Sequence, residues 1–250
     1  MESTKNEILS FITEHDVKFV RLGFCDVYGN QKNIAILAED LPNAFENGIE
    51  FNGALVKGFD ANAHPLRLFP DAATLTVLPW RPFPGRTARF FCDIKNEDGT
   101  PYAKDSRAAL KRLQTNALVG IDCTFRLYET NAEGAPTQKP IDEGGYLDIA
   151  PLDKGEDIRR EICVTLEEMG IKIVTAFHGQ HHGQNEITLQ SADALTGADN
   201  YLVCKTVVQK IASRNGMYAC FADGMYIRKN GQRLHQTEPN PYMAIKTCFA

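Results

Sequence analysis

The sequence predicts an α+β fold, because stretches that alternate apolar and polar residues are interleaved with stretches of helical period. Three observations carry this. Residues 17–25 and 121–128 alternate like half-buried strands. Residues 158–169 and 193–215 repeat apolar side chains at spacings of three and four. Gly- and Asn-containing turns separate these stretches.

In chain order, Ile8, Leu9, Phe11 and Ile12 mark a helix over 3–14, with Ser3 and Thr4 as candidate caps. The strand 17–25 turns at Tyr28-Gly29-Asn30 and returns over 33–37, a hairpin. Residues 48–71, rich in Gly, Asn and Pro, read as irregular. Residues 73–78 and 88–94 read as strands, the second closed by the Asp98-Gly99 turn. A helix is expected over 105–117, with Asp105 or Ser106 as N-cap. The strand 121–128 precedes a polar loop over 131–148. The amphipathic helix 158–169 ends at Gly170. Strands over 171–177 and 184–189 flank a His-rich loop. On the long helix 193–215, Ala198, Leu202, Lys205, Val208, Ile211 and Ala212 share one face. Short strands over 218–221 and 225–227 lead to the Asn230-Gly231 turn, and 240–250 is helix-like. This places a small β-rich domain in residues 1–103 and a second domain in 104–250.

With 250 residues, 43% hydrophobic and 24% charged, the chain has enough material for one or two domains with a sizeable core. The net charge of −5 without a basic patch argues against nucleic acid as a partner. The seven cysteines are scattered, lack a C-x-x-C pair and sit in apolar patterns. That favours a reducing compartment. The polar start and the lack of an apolar run near the ~18 residues of a membrane span point to a cytoplasmic protein.

Residues 177–187 read F-H-G-Q-H-H-G-Q-N-E-I and closely resemble the H-H-E-x-x-x-G-Q-x-E-I loop of glutamine synthetases. Other blocks match in order. Residues 19–32 resemble that family's first hairpin. Residues 48–59, G-I-E-F-N-G-A-L-V-K-G-F, are similar to its G-I-x-F-D-G-S-S-I-x-G-F. Pro70-Asp71, Leu78-Pro79-Trp80, the 93–112 segment, Gly144 to Asp148 (G-G-Y-L-D) and 159–170 follow. The resemblance implies a β-grasp-like N-terminal domain followed by a truncated glutamine-synthetase-like catalytic β-sheet domain with flanking helices. It also implies ATP and Mg as cofactors.

The family's reaction is ATP-dependent ligation of ammonia to glutamate, and it needs carboxylates around divalent cations and arginines around phosphate. Several positions depart from the pattern. Where the family has G-x-E-x-E on a strand, this chain has Asp122 and Thr124. Gly179 replaces the first glutamate of the loop, and Glu186 keeps the second. Asn52 and Ala54 replace the Asp and Ser that the resemblance assigns to ammonium binding. Residues 228–244 align in two ways. One makes Asn230-Gly231-Gln232-Arg233-Leu234-His235 the family's N-G-S-G-M-H, with His235 a metal ligand. The other makes 233–244 a downstream segment beyond an internal gap, with His235 a turn residue. Asn230, Gly231 and Arg233 are the substrate-binding candidates.

Three functions are compatible with these residues. The first is a glutamine synthetase-like paralogue without full synthetase activity, acting as a ligand-binding, regulatory or subunit-partner protein, as a homo-oligomer or with another such subunit. The second is an ATP-dependent carboxylate–amine ligase of altered substrate, with Arg126, Arg228 or Arg233 replacing lost arginines. The third is a Zn site on the His-rich loop, from His178, His181 and His182 with Glu186, Asp122 or His235. The plain alternative for that loop is a solvent-facing polar turn. Cys123, alternating with Asp122 and Thr124, is expected in the core.

Overall fold

The computed structural model describes every residue except 1, 81–83, 114, 116, 230 and 250, and of Glu2 and Ser3 only the backbone. It divides into two units, Met1–Gln114 and Thr115–Ala250. The cap expected of Ser3 thus falls outside the described side chains.

In the first unit, helix α1 (Glu2–Glu14) is followed by strands β1 (Val17–Cys25) and β2 (Gln31–Leu37), an antiparallel hairpin. Helix α2 (Leu41–Asn47) leads to β3 (Ile49–Phe51), β4 (Leu66–Pro70), β5 (Thr76–Val77) and β6 (Arg86–Asn96). The sheet runs β2-β1-β6-β4-β3, with β5 also on β6, and β1 and β6 are parallel. Ile8 and Ile12 of α1 and Leu41 and Phe45 of α2, each pair four residues apart on one helix face, join the inward strand residues Val20, Leu22, Leu66, Leu68 and Phe90 in one buried core. Two readings change here. Residues 48–71 are not wholly irregular: β3 and β4 pair there, in runs too short for period to reveal. Of 73–78 only Thr76 and Val77 form a strand, because Ala72–Thr74 is a short 3₁₀ turn whose start Asp71 caps.

Helix α3 (Ser106–Lys111) is shorter than expected and belongs to this first unit, whereas a division after residue 103 puts it in the second. Asp105 is its cap, accepting from Ala108 N at 3.0 Å and, with its other oxygen, from Ile94 N at 2.8 Å. Arg107 of α3 lies 3.0 Å from both Asp71 and Asp93, which ties the helix to the β4 and β6 region.

The second unit holds β7 (Leu118–Thr130), β8 (Pro136–Pro140), α4 (Glu156–Glu168), β9 (Ile173–His178), β10 (Gln184–Asp193), α5 (Ala194–Arg214), β11 (Met217–Cys220), β12 (Met225–Lys229), β13 (Gln232–Gln236) and α6 (Pro241–Phe249). The sheet order is β13-β12-β7-β10-β9, with β8 and β11 also on β7 and every pairing antiparallel. β8 lies inside the span read as polar loop. It is an exposed edge strand, anchored by Thr137 Oγ1 donating to Glu129 O at 2.7 Å. Asp193 caps α5 by accepting from Leu195 N and Thr196 N. This helix is buried on more than the expected face, adding Tyr201, Val203, Cys204 and Val207, because it contacts the sheet, α4 and α6 together. Lys205 instead lies over the Phe221 ring at 5.2 Å. Tyr242 of α6 donates to Asp199 of α5 at 2.6 Å. No helix among the described residues is long and apolar enough to cross a membrane.

Candidate functional site

Strand alternation sorts β7 into two faces. Ile121, Cys123, Phe125 and Leu127 are fully buried apolar residues of the core, Cys123 included as expected. Asp122, Thr124 and Arg126 take the opposite face. The β10 register sets Thr188 against Asp122, Glu186 against Thr124 and Gln184 against Arg126. On the other side, Tyr226 of β12 lies opposite Asp122, and the β12–β13 hairpin pairs Arg228 with Arg233 and Tyr226 with His235. Two carboxylates and two guanidiniums are thereby brought onto one patch.

Their geometry is a clamp. Arg228 donates from Nε and Nη2 to the two oxygens of Asp122, at 2.9 and 3.0 Å. Arg233 donates from Nε to Asp122 Oδ2 at 2.6 Å and from Nη2 to Glu186. Its guanidinium also lies 3.6 Å above the Tyr226 ring. Asp122 is 0% exposed, whereas Arg228 and Arg233 are 45% and 37% exposed. The anions are thus sealed beneath their cationic partners. Burial raises the Glu186 carboxyl above its ordinary value, against the opposing pull of Arg233. Beside this clamp the hydroxyls of Thr124 and Thr188 are buried without a hydrogen bond.

The histidines and Arg126, the other described candidates of the second unit, make no bond to these carboxylates. His178 is 0% exposed and lies in a separate buried network. Its Nε2 is 3.0 Å from Asp142 Oδ1 and its Nδ1 2.9 Å from Gly179 O. Two acceptors on one ring suit the doubly protonated imidazolium. Burial alone would lower its pKa, but the bonds to Asp142 and Gly179 outweigh that and raise it. Asp142 also accepts from Gly183 N at 2.8 Å and Lys154 N at 3.0 Å. Next to it, Asp153 binds Arg159 Nη2 at 2.6 Å, and Arg159 Nη1 reaches Asn185 Oδ1 at 2.5 Å. His181 and His182 are exposed. The expected convergence of three loop histidines on one metal is therefore absent: the network holds one and solvent the other two.

His235, placed in β13 rather than in a turn, donates from Nε2 to Asp223 O at 2.7 Å. Arg126 does not reach the carboxylates; it donates to Asp223 at 2.7 Å, as Gln184 does at 2.9 Å. Gly231 is an exposed turn residue with φ +78°, and Asn230 lies outside the described residues. At Gly179 a Cβ would lie 2.5 Å from Gln184 Oε1. That oxygen accepts from Gln180 N and His181 N, so Gln184 fills the space a longer side chain at 179 would need. In the first unit Asn52 caps a 3₁₀ turn by accepting from Ala54 N at 3.0 Å, and Ala54 offers only a methyl group.

Among the described residues, one group has donor atoms close enough for a metal: Asp142, Asp153 and His178, within 4.8 Å of one another. Its lone pairs are already engaged by Arg159, His178 and backbone N–H groups. Asp153 was not singled out from sequence, and the Arg159-Arg160 pair reads there as a solvated helix face, whereas Arg159 is buried against Asp153 and Asn185. The signal available was an Asp-x-Gly turn before α4, with an arginine beside the apolar stripe of Ile158, Ile162 and Leu166. Bordering this network is a cleft of about 420 Å³, lined in part by Glu156, Arg159, Phe177 and His178.

A divalent cation of the magnesium type needs about six oxygen donors with free lone pairs. Both oxygens of Asp122 and one of Glu186 are held by the two guanidiniums, so these two residues fall far short of that set. The patch therefore does not fit the metal that the family resemblance implies.

Comparison with known proteins places these elements. The family model for the glutamine synthetase beta-Grasp domain matches residues 16–97, and that for the glutamine synthetase catalytic domain matches 100–237. A glutamine synthetase of Clostridium saccharobutylicum is 40% identical over 240 residues, covering 93% of this chain and 54% of that protein. One from Methanosarcina mazei is 38% identical over 244 residues, covering 94% and 55%. Among solved structures, GmaS in complex with ADP superposes with a TM-score of 0.76 at 25% identity, covering 90% of this chain and 57% of that one. The Plasmodium falciparum glutamine synthetase shares the fold, with a TM-score of 0.77 at 20% identity. The chain spans about half the length of the curated relatives it matches.

Proposed function

The chain belongs to the glutamine synthetase family, and we propose that within it this polypeptide does not itself complete glutamine synthesis but acts as a ligand-binding or subunit-partner protein. The observation that carries this reading is the clamp: Asp122 and Glu186 are neutralised by Arg228 and Arg233. Phosphoryl transfer to a carboxylate depends on cations held against the developing charge. A patch whose anions are consumed internally supplies no such hold. Asn52, Ala54, Thr124 and Gly179 add to it, since none offers a carboxylate or a charge.

The role as partner is supported by the segment around Tyr146, Leu147, Ile149 and Leu152, four apolar side chains that are 56–74% exposed. Exposed apolar clusters of this kind mark contact surfaces. The cleft beside Arg159 and His178 is the candidate small-molecule site. A place in the cytoplasm accords with seven free cysteines.

The test is glutamine formation from glutamate, ammonia, ATP and Mg²⁺ by the purified chain. No product above the protein-free control is expected. Sustained turnover at a rate typical of enzymes, on the order of 1 s⁻¹ or more, overturns the reading.

A further inference from the structure

We infer that the cleft beneath the 142–154 loop binds a small monocarboxylate with an apolar body, and that Arg160 receives its carboxylate. The inference rests on the reading of this cleft as the small-molecule site and names the class of ligand. At about 420 Å³ the cleft is within the range of ligand pockets. It opens against α4 and β9, apart from the clamp on β7 and β10. Leu147 and Ile149 of the loop form one apolar wall, and Cys163 of α4 with Ala176 and Phe177 of β9 the other. Burial pushes the Cys163 thiol up to about 11, so it is uncharged at neutral pH and packs as a small apolar group.

The charges around the cleft differ in what already holds them. Arg159 is taken by Asp153 and Asn185, and His178 by Asp142. Asp148 accepts from Gly145 N at 2.7 Å, and Glu156 from Ala150 N at 3.3 Å. Arg160, exposed on α4, makes no hydrogen bond or ion pair among the described residues, so its guanidinium is open to an anion. The carboxylates of Asp148, Asp153 and Glu156 also line the cleft and repel a doubly charged group such as phosphate, which leaves a monoanion. The loop is fixed at its neck. Asp142 accepts from Gly183 N at 2.8 Å and Lys154 N at 3.0 Å, which draws the ends of an Ω-loop together. Within it Leu147 has φ +62°, a costly conformation for a bulky side chain, and its N–H donates to His178 O at 3.1 Å. That strain holds a side chain that is 56% exposed along the cleft, where an apolar ligand would cover it.

The experiment is isothermal titration calorimetry of the whole chain with octanoate at neutral pH, beside hexanoate and octylammonium. Octanoate is expected to bind one-to-one with a Kd of about 1 mM or tighter. Hexanoate should bind about tenfold more weakly, at about fourfold per methylene removed. Octylammonium, which carries the wrong charge for Arg160, should bind at least about tenfold more weakly than octanoate. Arg160→Gln is expected to weaken octanoate at least about tenfold. In Leu147→Asn the short polar side chain tolerates positive φ, so the loop keeps its path and octanoate binds at least about fivefold more weakly. No binding at about 10 mM octanoate, octylammonium binding as tightly as octanoate, or octanoate binding that either variant leaves unchanged overturns the inference. Should Leu147→Asn not fold, Arg160→Gln, on an exposed helix face, decides alone. Glutamine formation by the unmodified chain sinks the functional reading instead. A chain that makes no glutamine and binds no octanoate sinks the ligand alone.

Discussion

Asn185 and Glu186 are consecutive residues of β10, yet they serve two different charge clusters on opposite faces of one strand. Asn185 faces the network of Arg159, Asp153, Asp142 and His178, where every charged partner is buried. Glu186 faces the clamp, where buried anions lie beneath half-exposed arginines. The first cluster is closed on itself and orders a loop and a helix start. The second is covered only by two long side chains that solvent can reach. Electrostatic energy depends on surroundings as much as on distance, so breaking a pair in the closed cluster costs more stability than breaking one in the half-open clamp.

If that contrast holds, Arg159→Met produces the largest loss. It strands Asp153 as an uncompensated buried charge and costs about 3–5 kcal/mol; urea unfolding measures this, and a loss below about 1 kcal/mol breaks the comparison. His178→Gln comes next, at about 1–3 kcal/mol, since two buried acceptors lose a partner. The raised His178 pKa means its stabilisation is complete below the unfolded value of 6.5 and is lost as pH rises through the folded value. Asp142 has a lowered pKa: burial opposes this, but the Gly183 and His178 bonds prevail. Its share is therefore present above 3.8 and lost as pH falls through the folded value. Thermal unfolding from about pH 5 to about pH 9 should show the gap between variant and parent shrinking toward alkaline pH.

Gly144→Ala sharpens the same contrast. A Cβ there lies 2.9 Å from His178 Nε2, so the ring has to shift off its bond to Asp142. Overpacking of this kind costs about 1–3 kcal/mol. Arg233→Gln, on the half-open side, is expected to cost less than Arg159→Met, because Arg228 still pairs with Asp122 and Arg233 itself is 37% exposed. A larger loss there means the clamp belongs to the fold rather than to the site.

The elements were legible where one face is buried and the run is long. Strand 17–25 and the helix ending before Gly170 follow directly from period and capping. β3, β4 and β8 were not, because three to five residues among glycines and prolines carry too little pattern. Of the site, strand period placed Asp122 and Thr124 on one face, and the motif drew attention to Glu186. The partners of those carboxylates lie 106 and 111 residues away from Asp122 in sequence and meet it only through hairpin register, which no local pattern specifies. The histidines misled for a related reason. Adjacency in a loop does not say which side chain turns inward, and only His178 does.

Nitrogen-15 resolved NMR of arginine Nε–H groups at neutral pH tests the clamp most directly. Signals assigned through Arg228→Lys and Arg233→Lys should be protected from exchange and stay in place when millimolar Mg²⁺ is added. Their shift or disappearance on adding Mg²⁺ would show the cation displacing the guanidiniums, and would contradict a sheet face whose carboxylates are already taken.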